Sequence, residues 1–326
     1  MITLQRRDFL GLGAALAATN LWAADFPVAG KPIRIIIPAA PGGPADLMAR
    51  ALTPTLTAQL NGAPIVVESK PGGGTVPGAN IVATAPKDGY TLLLTISSTH
   101  TQVPHLLNKI PYDPFKDFTP ICQLFRSGVV ICAQNGLQAH NLKELVELSK
   151  TPAGPISAAS AGIGTNGHLY IEMLNRMYGA RLNHIPYKGA SEGQRDLQAG
   201  VVQVYFDSVS SAIPHVKSGR VKALAVTGGT RLEVLPDVPN CVELGFPALD
   251  ITGWFGVFGP GGMDPAVVDT LNKALVAGIR SPEVQRQFRP LGVELTGTTA
   301  GEFDAVVRRD YAVWGKIIKD AGIRME

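Results

Sequence analysis

Only three cysteines occur in the 326 residues, Cys122, Cys132 and Cys241. An odd number permits at most one disulfide, so a disulfide-held scaffold is excluded. No CxxC and no paired histidines at ligand spacing are present, and no metal site is expected. Charge is sparse as well: charged residues make up 17% and the formal net charge is +3. No basic run exceeds a pair of residues, so nothing in the chain would follow a phosphate backbone and nucleic acid is excluded as a partner. No apolar run approaches the ~20 residues that a membrane-spanning helix needs. GxxxxGK[ST] is missing too. Gly162-x-Gly164-x-x-Gly167 has the spacing of a dinucleotide fingerprint but lacks the acidic residue about 20 positions on, where Leu182-Asn183-His184 stands instead. No cofactor is expected.

What the chain does have begins with a leader. Arg6-Arg7-Asp8-Phe9-Leu10 precedes a short apolar stretch rich in Ala and Gly, and Ala23-Ala24 offers a cleavage site. This is the layout of a signal peptide over 1–24, with an arginine pair of the twin-arginine kind, and a periplasmic location follows. An ordinary secretory signal carrying two arginines is the other reading. No cysteine follows the small residues, so lipid anchoring is not expected. Removal of 1–24 takes away Arg6, Arg7 and Asp8 and lowers the formal +3 by one unit.

Glycine (36) and proline (25) punctuate an alternation of strands and helices. The run 33–38 (IRIIIP) reads as a strand buried on both faces, followed by a glycine loop and a helix over about 45–60. Pro54 inside that helix predicts a kink or break. Strand 65–68 leads through Pro71-Gly72-Gly73-Gly74 into a helix near 78–85. Strand 91–96 ends in Ser97-Ser98-Thr99-His100. After a loop-rich stretch, 111–118, the pattern restarts with strands near 129–132, 156–160, 184–188 and 202–206. Helices are expected over 142–149 and 167–178. Strands at 221–227 and 254–258 and helices over 265–280 and 299–321 complete the chain. This is an α/β protein whose ligands gather beyond the carboxyl ends of its strands.

Three loops, 40–45, 71–75 and 161–166, each follow a strand and precede a helix. Glycine lets backbone approach a ligand, and a helix N-terminus offers unpaired N–H donors, so such loops receive anions without arginine. A carboxylate cleft is expected. Catalytic arrangements are weaker. His184 reads as a core histidine, His168 as a packing or capping residue, and Asp46 as a helix-start acid. Asp207 is the most site-like acid, with turn capping as its other reading. No pair of acids, and no acid–histidine pair, stands at catalytic spacing.

IRIIIPAAPGGPAD, KPGGGTVPGAN, DGYTLLL, YDPFKDFTP, SAGIGTNGH, HIPYKGA, ALAVT, LPDVP and the W-x-G-V-F-G-P-G-G segment follow one another along the chain. In this order they resemble the Bug-type receptors of tripartite tricarboxylate transporters, from about residue 32 to the C-terminus. The resemblance implies a two-lobed periplasmic-binding-protein type II (Venus flytrap) fold, each lobe a mainly parallel sheet flanked by helices. Lobe one would be 27–124 plus 227–326, and lobe two 125–226. It implies a monomeric receptor, not an enzyme, that captures a small carboxylate-bearing molecule and delivers it to a membrane permease of that transporter type. The ligand-binding residues it implies are Ala39, Ala40, Gly42, Gly43, Asp46, Ser97 and Ser98 from lobe one. Ser160, Gly164, Thr165, Asn166, Tyr187 and Asp207 would come from lobe two. Three departures from the family pattern bear on the ligand and the local structure. Ala40 replaces the usual bulky residue after the first strand's proline, KPGGG alters a turn, and Pro54 is unusual. An exported α/β hydrolase or isomerase acting on a small acid is the competing reading.

Overall fold

The structure, a computed structural model, describes residues 26–324; the expected leader lies outside them. Alternating β-branched runs and glycine-broken helices build the first half of one sheet. β1 (Ile33–Ile37) leads to α1 (Pro44–Gln59), β2 (Ile65–Ser69), α2 (Val76–Ala83) and β3 (Thr91–Ile96). Two single-turn helices follow, α3 (Ser98–Thr101) and α4 (Val103–Leu106), and then the long β4 (Phe118–Ser127). Only Gly128 separates β4 from β5 (Val129–Ala133), which belongs to a second sheet. That sheet is completed by β6 (Ile156–Ser160), β7 (Leu182–Pro186), β8 (Val204–Ser208) and β9 (Lys222–Val226). Between those strands lie α5 (Leu142–Lys150), α6 (Asn166–Tyr178), α7 (Ala190–Gln198) and α8 (Val209–Lys217). β10 (Gly253–Pro260) returns to the first sheet, followed by α9 (Pro265–Arg280), α10 (Pro282–Phe288), β11 (Glu294–Leu295) and α11 (Ala300–Asp320).

The six-stranded sheet has the order β11-β4-β10-β3-β1-β2 and the five-stranded sheet β7-β6-β8-β5-β9. β1 pairs in parallel with β2 and β3, and β6 with β7 and β8. The mainly parallel sheets expected from sequence therefore hold only for these halves. β10 runs antiparallel to β3 and β4, and β5 antiparallel to β8 and β9. The cause is connectivity. β4 passes straight into β5 and the chain later returns along β10, so these strands enter their sheets without the crossover helix that parallel pairing requires.

Helix α1 continues through Pro54, contrary to the expected break. Pro54 stands on the exposed side, where the carbonyl it leaves unpaired meets water, while Met48, Ala49, Leu52 and Leu56 hold the other side in the core. Apolar clusters flank both sheets. α11 belongs to two of them. Phe303 and Val307 pack with Ile36, Leu93 and Trp254 of the first sheet. Trp314 and Ile318 pack with Ile131, Leu169 and Phe206 of the second. The three cysteines are free and buried.

Candidate functional site

A cavity of about 560 Å³ opens between the two sheets. Its first wall comes from the β1–α1 junction. The strand ends at Ile37, and Pro38-Ala39-Ala40 turn the chain over the sheet edge. Gly43 then caps α1 through extended backbone without a side-chain hydrogen bond, and Pro44 takes the first helical position, where a missing N–H costs nothing. Asp46 is buried one turn into α1, where its carboxylate accepts from the Gly42 N–H (3.0 Å) and from Arg50 Nε (3.0 Å). Burial pushes the Asp46 carboxyl up, but the Arg50 and Gly42 hydrogen bonds outweigh it and hold the group below the usual carboxylate range.

The opposing wall comes from the second sheet. β6 runs into Ala161–Thr165, and Thr165 Oγ1 caps α6 by accepting from the His168 N–H. α7 starts at Gly189, whose cap position carries no side-chain hydrogen bond. The starts of α1, α6 and α7 all line the one cavity, through Ala45, Gly167 and Ala190 among others. Each helix start contributes roughly half a positive charge and unpaired N–H groups. The loop Gly72–Thr75 closes a third side. The three glycine loops singled out in the sequence therefore meet at one place.

The rest of the lining is largely apolar, with Ile96, Ile163, Phe206, Trp254 and Phe255 among it. Lys188 is the one Lys or Arg among the described lining residues, and it is exposed at the rim. Asp207, 1% exposed, stands one residue before the end of β8 in the cavity wall. It accepts from Gln194 Nε2 (2.7 Å) and from the Ser208 N–H (2.8 Å). Burial raises its carboxyl to about 7 in spite of those hydrogen bonds.

Of the expected ligand-binding residues, Ala39, Ala40, Gly43, Asp46, Ser97, Thr165, Asn166, Tyr187 and Asp207 line the cavity. Gly42, Ser98, Ser160 and Gly164 are not part of its lining. Gly42 spends its N–H on Asp46. Ser98 Oγ is buried without a partner among the described residues. Gly164 donates its N–H to His168 Nδ1 (3.1 Å). Ser160 is fully buried, and its Oγ lies 2.7 Å from His184 Nε2 and accepts from the Gly162 N–H. This serine–histidine contact, the one a hydrolase would need, supports the loop and stays out of the cavity. Tyr187 lines the wall while its hydroxyl donates outward to Asp196 (2.8 Å).

Lys188, Gly189, Trp254 and Phe255 were not among the expected site residues. The first two lie in the HIPYKGA segment, but nothing in their spacing singles them out. Trp254 and Phe255 reach the cavity because β10 inserts between β3 and β4, a pairing across more than a hundred residues.

The family described as tripartite tricarboxylate transporter family receptor matches residues 48–323 of the chain. Protein BugT of Bordetella pertussis is 32% identical over 297 residues, which cover 91% of each chain. The solved structure of the periplasmic binding protein BugD matches with a TM-score of 0.85 at 35% identity, covering 90% of this chain and 99% of its own. MatC from Rhodopseudomonas palustris, solved with bound malate, also has a TM-score of 0.85, at 29% identity, covering 90% of this chain and 100% of its own.

Proposed function

Since this chain belongs to the tripartite tricarboxylate transporter receptor family, we propose that it is a periplasmic receptor for a small carboxylate with an apolar body. In this reading 1–24 directs export and the mature chain is a monomer that hands its ligand, unaltered, to a membrane permease of that transporter type. Lobe one is 27–124 with 227–326, and lobe two 125–226. The observation that carries the reading is the convergence of three helix starts on a cavity with almost no cationic side chains. A carboxylate is met there by N–H donors already oriented, so little reorganisation opposes binding.

The cavity lining offers two chemistries. Backbone donors of the β1–α1 and β6–α6 junctions suit the ligand's carboxylate. Asp207, buried and already accepting two hydrogen bonds, suits a hydroxyl or amino donor of the ligand. The apolar lining between them suits a carbon chain or ring. The malate seen in MatC carries both a carboxylate and a hydroxyl. Contacts from both lobes are what make closure follow ligand capture, because only differential contact shifts a conformational equilibrium.

Melting temperature measured across a panel of hydroxy-, amino-, keto-, aromatic and dicarboxylic acids tests the proposal. A ligand at a hundred times its Kd adds about 2.7 kcal/mol to apparent stability and raises the melting temperature. Absence of any shift across the panel rejects it. Mass spectrometry of material released on denaturation would name the compound.

A further inference from the structure

Behind the lobe-two loop that lines the cavity lie two stacked imidazoles. The rings of His168 and His184 are 4.2 Å apart at 24°. Each is tied to a different point of the loop. The Gly164 N–H donates to His168 Nδ1 at 3.1 Å. His184 Nε2 lies 2.7 Å from Ser160 Oγ, which in turn accepts from the Gly162 N–H at 3.2 Å. Ala161, Gly162 and Ile163, held between these ties, and Thr165 just beyond them form part of the cavity wall.

The Gly164 contact fixes the state of the first ring. A backbone N–H can donate only to a nitrogen with a free lone pair, so Nδ1 of His168 is bare and its proton sits on Nε2. We infer that His168, backed by His184, is a positioning residue for the ligand loop and holds Gly164 in place only while its ring is neutral. The inference rests on the receptor reading of the cleft. A proton on Nδ1 turns the acceptor into a donor and sets N–H against N–H. It would also place a cation at the start of α6, where the helix dipole is already positive.

The surroundings oppose that proton. Burial holds the His168 ring below the ordinary imidazole range, against a smaller upward pull from Glu172. Glu172 lies one turn further along α6 and is already paired with Arg176 at 3.2 Å. Burial pushes His184 down to about 3, with a further push from His168. β7 thus presents His184 to the first ring, and β6 presents the uncharged Ser160. A second charge in a stack this close is opposed by the first. The sign follows: the loop is held at neutral pH and above, and the hold weakens as acid protonates His168.

Amide hydrogen exchange of the loop 161–165, measured on the full mature chain without ligand at pH 7.5 and 5.0 and corrected for intrinsic exchange, tests this. Protection should fall with acidification, by up to about tenfold per pH unit once the ring titrates. His168→Asn, whose Oδ1 can accept in place of Nδ1, should keep protection at pH 7.5 and lose most of the pH dependence. His168→Leu should lose protection at both pH values. Long-range 1H–15N spectra should show His168 as the Nε2–H tautomer at pH 7.5, a readout that stands even if the leucine variant does not fold. Protection independent of pH in the wild type, or an Nδ1–H tautomer, overturns the inference. Failure of the carboxylate panel with loop protection behaving as stated would reject the receptor reading, and with it the loop's role in ligand binding, while the hold of neutral His168 on Gly164 would stand.

Discussion

His100 is fully buried, and neither ring nitrogen has a hydrogen-bond partner among the described residues. Its ring stacks on Phe258 at 3.9 Å and meets the edge of Phe118, so it serves as an aromatic plate, and burial pushes its imidazole down to about 3. The unfolded chain binds the proton that the folded chain refuses, so this residue withdraws stability as pH falls below about 6.5. His100→Phe removes two unsatisfied polar atoms and keeps the stack. It should raise stability by about 1–2 kcal/mol at pH 7, and by more at pH 5, as read from urea unfolding at both pH values. Asp207 has the opposite sign. With its carboxyl raised to about 7, the folded chain holds a proton that the unfolded chain has lost, and stability falls as pH rises from about 4 towards 7. Asp207→Asn should therefore raise the melting temperature at pH 8 by a few degrees. It should also diminish the shift produced by any ligand found, since a residue kept at a cost to stability is one that binding uses. An unchanged melting temperature at pH 8 would contradict this account of Asp207.

α11 carries the strongest element-scale consequence. Its first half belongs to the core of one sheet and its second half to the core of the other, so it ties the lobes behind the cleft. Trp314 is 1% exposed and packs near Tyr170 within the core of the second sheet. Trp314→Ala should cost about 3–5 kcal/mol, the range for emptying a buried aromatic site, and denaturant unfolding followed by far-UV circular dichroism would measure it. The sequence shows a helix over 299–321 and the structure has one over Ala300–Asp320. What periodicity does not show is that the apolar residues of this helix serve two cores. β1 and β3 were legible as buried apolar runs, and β2 and β6 as short runs that end in glycine-rich loops leading to helices. The antiparallel entry of β10 was not, since strand direction depends on where the chain has travelled between lobes. At the site, the glycine loops were legible by their place between strand and helix. Ser160 and Gly164, expected among the ligand-binding residues, carry local hydrogen bonds to His184 and His168, and no spacing rule encodes that.

At the scale of the molecule the lobes meet along the rim of the cleft with almost no space to spare. A Cβ added to Gly189 would lie 2.9 Å from the Cβ of Ala40 on the facing lobe. One added to Gly253 would lie 2.6 Å from Asn166 Nδ2. The two small residues at 40 and 189 therefore set how far the lobes close. Ala40, where the family resemblance leads one to expect a bulkier side chain, leaves room that only a residue without a Cβ on the other side can use fully. The Gly189 backbone is extended, with φ of 166°, so a side chain there meets the facing lobe and no local strain. Gly189→Val should leave each lobe folded but prop the cleft open. Its unliganded melting temperature should stay within about a degree or two of the wild type, as for a substitution outside the cores. Ligand affinity should drop tenfold or more, which corresponds to closure made less favourable by about 1.4 kcal/mol. Small-angle scattering should show a larger radius of gyration for the variant in saturating ligand. An equally compact liganded variant with unchanged affinity would mean that closure is limited elsewhere, at the Gly253–Asn166 contact or along α11. The double substitution Ala40→Gly with Gly189→Ala separates these outcomes. It moves the single Cβ from one lobe to the other, and affinity should return towards the wild type only if the Ala40–Gly189 contact is what sets the closed state.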